Sequence, residues 1–222
     1  MARTVVRPDG AVGDRQYGLI DASTGQAAVP EKDARWRKAL HLEAVYADHE
    51  LPMITFPGGQ RCSLDDPTLA EALTQYFGFP AAMAAYKHTE RQLGFPLTQY
   101  RHRHFPLHML TSSSLERLAE MCGREEIDVR RFRPTVLIRV RKGSGFVEGN
   151  WIGRRLKLGG LELRAQEDTK RCGVTFISQP GLDEDPEILR NILRNNKRHL
   201  GIYCSTDVSG TIETGDEVFI AD

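Results

Sequence analysis

The run Leu156-Lys-Leu-Gly-Gly-Leu-Glu-Leu-Arg164 alternates apolar and polar residues on both sides of Gly159–Gly160. Period-two alternation puts one face of each segment against a core, and paired glycines supply the backbone of a tight hairpin turn. Val136 to Val140 after Pro134, Val174 to Ile177, Ile202 to Cys204 and Glu217 to Ile220 read as further short strands. Tyr17 to Ile20 and Leu40 to Tyr46 are strand-like runs in the first third. Helix signals are fewer. Asp66–Pro67 marks a start, Leu69, Ala70, Leu73, Tyr76 and Phe77 a stripe, and Gly78 a stop. Ser113 and Glu116 stand at capping-box spacing beside Leu115, Leu118, Ala119 and Cys122, with Gly123 as the stop. A third helix is predicted from Asp185–Pro186 through Ile188, Leu189, Ile192 and Leu193 to Lys197-Arg198-His199, cations that complement the helix dipole. Short strands interrupted by isolated helices predict an α+β chain built on a β-barrel.

Thirty basic and thirty acidic residues cancel, so no bulk field favours nucleic acid or an anionic membrane. No run is long enough to span a bilayer, and the first residues lack the apolar stretch of a signal peptide. Cys62, Cys122, Cys172 and Cys204 are scattered without a C-x-x-C pair. This pattern predicts reduced thiols in a cytoplasmic protein rather than disulfides or structural zinc.

Lys170-Arg171-Cys172 places a thiol beside two cations, which favours the thiolate that attacks electrophiles and binds soft metals. The alternative is a buried structural cysteine with its basic neighbours in solvent. Arg130-Arg131-Phe132-Arg133-Pro134 precedes a strand; its guanidiniums either grip a phosphate or carboxylate or form a solvated basic edge. Gly13-Asp14-Arg15 is either a structural contact or a ligand clamp. Thr111-Ser112-Ser113-Ser114 opens a helix with more hydroxyls than one cap needs, enough to cradle an oxyanion. His102, His104 and His108 alternate with Arg101 and Arg103, which argues for a basic loop over a metal site. There is no G-x-S-x-G, Walker loop or dinucleotide fingerprint.

Taken in order, these pieces resemble the MOSC family, named for the C-terminal domain of molybdenum cofactor sulfurase, and most of all its amidoxime-reducing group. Gly13-Asp-Arg-Gln-Tyr-Gly-Leu-Ile-Asp21 is similar to that group's G-D-R-x-[WY]-x-L-x-D, and Arg131-Phe-Arg-Pro134 to R-F-R-P-N. Pro106 to Leu115 resembles the lead into the core. Arg171-Cys172 with Val174-Thr175 and Asp185-Pro186 resembles the cysteine segment and its following helix. Gly201-Ile-Tyr203 and Ile212 to Val218 resemble the closing strands.

The resemblance implies a β-barrel core with peripheral helices over 96–222, preceded by a smaller α/β portion over 1–95. It implies a molybdenum cofactor with Cys172 as catalytic thiolate and metal ligand. Arg15, Thr111, Ser114, Arg131, Arg133, Thr135, Lys170 and Arg171 would line the pterin and its phosphate. In that picture N-hydroxylated small molecules are reduced with electrons from a redox partner. Two alternatives share the site: a Cys172 persulfide carrying sulfur from a donor protein, and a non-catalytic pterin- or anion-binding module. Three departures from the family pattern stand out. Thr135 replaces the Asn of R-F-R-P-N, Thr169 stands at the first cysteine of C-x-R-C, and no Y-P-V-K-[SG] precedes Gly13.

Overall fold

The computed structural model describes residues 3–46, 51–86, 94–98, 105–141 and 145–221. In chain order the strands begin with β1 (Arg3–Arg7), β2 (Gly10–Ala11) and β3 (Tyr17–Asp21). They continue with β4 (Glu43–Val45), β5 (Met53–Thr55) and β6 (Arg61–Ser63), then helix α1 (Leu69–Phe77), β7 (Ala81–Tyr86) and β8 (Leu97–Thr98). Next come β9 (Leu107–Thr111), α2 (Ser112–Cys122), β10 (Val136–Ile138), β11 (Arg155–Leu158) and β12 (Leu161–Lys170). The chain closes with α3 (Pro186–Asn195), β13 (His199–Ser205), β14 (Gly210–Glu213) and β15 (Val218–Ala221).

These elements fall into two compact units. One comprises Met1–Asp14, His104–Phe176 and Asp185–Asp222, the other Arg15–Arg103 and Ile177–Glu184.

The first unit holds a six-stranded sheet in the order β10-β9-β13-β12-β11-β15, curled into a half-barrel, and a three-stranded sheet β14-β1-β2. The Gly159–Gly160 hairpin pairs as its alternation predicts, Leu156 opposite Leu163 and Leu158 opposite Leu161. All four leucines are buried in one cluster with Leu107, Met109 and Ile202, and with Val6 and Ile212 of the smaller sheet. Each such leucine contributes roughly 1.5–3 kcal/mol by leaving water. A second cluster packs Leu118 of α2 and Ile188 and Ile192 of α3 against Leu110 and Leu200. The other unit has sheets β3-β7-β8 and β4-β5-β6 and a core where Trp36 meets Phe77 and Phe79 edge-on, centroids 4.9 and 4.8 Å away.

Several expectations need correction. Val174 to Ile177 is not a strand: Gly173–Thr175 form a 3₁₀ turn. The Thr175 hydroxyl and N–H both donate to the Cys172 carbonyl, and this local closure overrides β propensity. Leu40 to Tyr46 yields only the short β4, because Asp33 caps a 3₁₀ helix that runs over Ala34–His41. Helix α2 is capped two residues earlier than Ser113, by the Thr111 side chain accepting from the Ser114 N–H. Helix α1 begins at Leu69, and Asp66 caps the Thr68 N–H instead. Helix α3 ends at Asn195, so Lys197 and Arg198 lie beyond its last turn. The β1–β2 hairpin was not legible as strand, and β1 pairs with β14, Val5 opposite Thr211. No helix of the described residues is long and apolar enough to cross a membrane.

Candidate functional site

Between β12 and β13 the register runs from Asp168 opposite Ile202 to Lys170 opposite His199. Two steps on β12 thus face three on β13, and the surplus falls at Leu200–Gly201. Gly201 takes φ +81°, a left-handed bulge residue. A Cβ there would lie 2.6 Å from His108 Nε2 and 2.7 Å from the Met109 carbonyl, so the site is closed to any side chain. We expect Gly201→Ala to cost at least about 3 kcal/mol, combining strain and overlap. Gly123→Ala, at φ +63° in open space, should cost roughly 1 kcal/mol. Urea unfolding of both variants checks the contrast.

The bulge serves two buried charges. Arg171 is 7 % exposed. Its Nε donates to the Leu200 carbonyl at 2.8 Å, Nη1 to the Phe132 carbonyl at 3.2 Å, and Nη2 to His108 Nε2 and again to Leu200. A guanidinium only donates, so His108 Nε2 must be the lone-pair nitrogen and Nδ1 carries the proton, facing the Arg133 carbonyl. On the other side of the bulge Glu148, 1 % exposed, accepts from the Gly201 N–H at 3.1 Å. It also accepts from the hydroxyls of Thr111 at 2.7 Å and Ser114 at 2.6 and 2.7 Å.

Cys172 follows Arg171 directly and caps the 3₁₀ turn. Its platform is fixed from both sides. The Arg171 N–H donates to the Arg198 carbonyl at 2.9 Å, and Arg198 Nε donates back to the Arg171 carbonyl. Among the four free cysteines, Cys62 and Cys204 are buried while Cys172 and Cys122 are half-buried. Burial pushes the Cys204 thiol up to about 12, and burial foremost also raises that of Cys122, which is turned toward the Glu187 carbonyl.

The residues named by sequence divide accordingly. Cys172, Arg171, Arg131 and Arg133 belong to one neighbourhood of the first unit: Arg171 binds the Phe132 carbonyl, between the two other arginines. Arg131 is buried and Arg133 exposed, at φ +46°. Thr135 closes that corner, its N–H donating to the His108 carbonyl at 2.8 Å and its hydroxyl accepting from the His108 N–H at 3.2 Å. Lys170 is exposed at the end of β12. Thr111 and Ser114 are fully buried and turned onto Glu148. Arg15, at φ +53°, belongs to the other unit. His102 and His104 lie outside the described residues, and His108 is the buried partner of Arg171.

Sequence reasoning missed Glu148, Gly201 and Arg198. A lone glycine inside a strand pattern is a bulge signal and could have marked Gly201. Nothing local distinguishes Glu148.

Among the described residues no group of three or more His, Cys, Asp or Glu is placed to hold a metal ion. A separate open groove of about 1220 Å³ runs along the edge strands β10 and β15, lined by Leu137, Arg139, Arg141, Glu217 and Phe219. Neither Cys172 nor Arg171 lines it.

The first unit is thus a curled half-barrel joined by a small second sheet, with Cys172 on a pinned segment just beyond β12. The chain belongs to the MOSC domain family: the MOSC domain matches residues 87–219, more than half of its length. MOSC domains are associated with binding of the molybdenum cofactor. Among solved structures the chain is similar to the YuaD protein from Bacillus subtilis, at 14 % identity and a TM-score of 0.49 over 99 % of this chain and 85 % of that one. It is also similar to YiiM from Geobacillus stearothermophilus, at 15 % identity and a TM-score of 0.42 over 53 % of this chain and 55 % of that one. No curated protein matches the sequence.

Proposed function

We propose that this chain binds the molybdenum cofactor through Cys172 and acts as an oxidoreductase on N-hydroxylated small molecules. The observation that carries the reading is the half-buried thiol of Cys172 on a segment pinned through Arg171 by its backbone and its whole guanidinium. Such anchoring is what a metal ligand needs to keep its geometry. The donor set fits the group: one soft thiolate suits molybdenum, whose other sulfur ligands come from the pterin dithiolene. The exposed cations Arg133 and Lys170 suit its phosphate, and Arg131 the same end of the ligand. Thr111 and Ser114 act at one remove, holding Glu148 and through it the Gly201 N–H. When bound, molybdenum supplies the redox chemistry, and the protein's residues orient it.

The test is elemental and pterin quantification on protein produced alongside cofactor synthesis, with amidoxime reduction by a chemical reductant. We expect near-stoichiometric molybdenum and pterin in the wild type. Cys172→Ser should keep the thermal midpoint but lose at least about 100-fold in reduction rate, as loss of a metal ligand does. Wild-type protein without molybdenum and pterin contradicts the reading.

One observation favours a second reading. Thr169, fully buried, stands where the family pattern has a neighbouring cysteine, so no thiol there would resolve a Cys172 persulfide as a disulfide. A sulfur carrier would show a one-sulfur mass increase on Cys172 after exposure to a desulfurase, and no dependence on molybdenum.

A further inference from the structure

Four non-glycine residues among those described adopt a left-handed backbone: Arg15, Arg133, Lys197 and Arg198. Every one is a cation. This conformation favours Asn, Asp and His and costs other L-residues about 1–2 kcal/mol. Strain of this kind persists where the surroundings enforce it, and it collects at ligand sites.

Two of the strained positions form the turn between α3 and β13, and that turn is tied to Cys172. The Arg198 carbonyl accepts from the Arg171 N–H at 2.9 Å, and its own N–H donates to the Ile192 carbonyl at 3.1 Å. Arg198 Nε donates to the Arg171 carbonyl, the oxygen of the peptide that leads into Cys172. A guanidinium is thereby held against the backbone of the candidate ligand. Arg133 is tied to the same centre, since its carbonyl faces His108 Nδ1 and the preceding carbonyl accepts from Arg171.

The charges at these corners are not spent on carboxylates. Arg130 is paired with Asp128 at 2.7 Å and Arg124 with Asp185 at 3.1 Å. Among the described residues, Arg133, Lys170, Lys197 and Arg198 have no carboxylate within ion-pair distance. Asp168, the nearest acid along β12, is engaged by His199 at 3.4 Å. Lys170 adjoins Arg171 in the chain and Arg198 is bonded to its carbonyl, so exposed cations without carboxylate partners gather at the segment that leads into Cys172, which favours an anion there.

We infer that the Lys197–Arg198 corner is an anion-binding part of the Cys172 site and grips the phosphate end of the pterin ligand. The inference rests on the proposed cofactor-binding function and assigns to it two residues outside the family motifs. Arg198 supplies a guanidinium already oriented by its bond to the Arg171 carbonyl. Lys197 supplies a second charge and takes no part in holding the turn.

The test uses full-length protein loaded with cofactor during expression and then dialysed against inorganic phosphate as competitor. Pterin and molybdenum retained per chain are measured together with the thermal midpoint. Lys197→Gly should raise the midpoint by roughly 2–4 °C by relieving left-handed strain, yet lower retained pterin roughly tenfold. Arg198→Gln should lower retention by a similar factor, and Arg198→Lys should restore part of it. A turn that merely connects α3 to β13 would show the stabilisation of Lys197→Gly with no loss of pterin. If both substitutions retain pterin as the wild type does, the anion corner is overturned while the cofactor reading stands. If the wild type retains none before dialysis, the cofactor reading itself fails.

Discussion

Replacing Glu148 by alanine should destabilise the protein by about 3–5 kcal/mol, the scale for removing one member of a buried charged network. Three donors converge on this carboxylate: the Thr111 hydroxyl, the Ser114 hydroxyl and the Gly201 N–H. Alanine strands all three in the interior, where each lost hydrogen bond costs about 1–3 kcal/mol before relaxation. Glu148→Gln keeps the shape but substitutes a donor for one acceptor. At the oxygen facing Gly201 an amide nitrogen would oppose an N–H, so the amide must turn toward the hydroxyls, which can rotate to accept. We therefore expect a smaller loss, about 1–2 kcal/mol. Urea unfolding of the full chain reads both values. A change below about 0.5 kcal/mol for Glu148→Ala would show that the three donors find other partners.

Substitution of Arg171 by leucine should have an effect of the same order, about 3–5 kcal/mol, for a different reason. The Arg171 fork fills acceptors on three segments: the Leu200 bulge carbonyl, the Phe132 carbonyl and the ring of His108. Leucine leaves these acceptors buried without donors. Arg171→Lys preserves charge but not the planar fork, and a single ammonium cannot span carbonyls on two segments and an imidazole. It should lie between leucine and wild type in stability. Because the Arg171 guanidinium helps hold the segment that carries Cys172, both variants should also retain less pterin than their stability loss accounts for. Equal pterin retention across the three proteins would separate Arg171 from the site.

The fold was legible where the decisive contacts are local. The Leu156–Arg164 alternation predicts the β11–β12 hairpin with its register, because the glycine pair and the four leucines lie within nine residues. The Asp185–Pro186 start of α3 and the Gly78 and Gly123 stops follow from caps that act within one turn. The site was legible only as a set of residue types. Arg171 reads in sequence as a cation beside a thiol; in the fold its side chain turns inward to partners 29, 39 and 63 residues away. The Thr111–Ser114 hydroxyls read as an anion cradle; in the fold only those of Thr111 and Ser114 hold a carboxyl group, the chain's own Glu148. Lys197 and Arg198 read as the end of a helix. Their backbone strain and their link to Arg171 exist only once α3 and β13 are in place.

Cys172 as the thiolate bound to molybdenum is the claim on which the functional reading turns, and X-ray absorption at the molybdenum edge tests it most directly. Loaded wild-type protein should show one more sulfur scatterer on the metal than loaded Cys172→Ser, with an oxygen or nitrogen scatterer in its place. Identical metal environments in the two proteins, or wild-type protein that takes up no molybdenum, would contradict it.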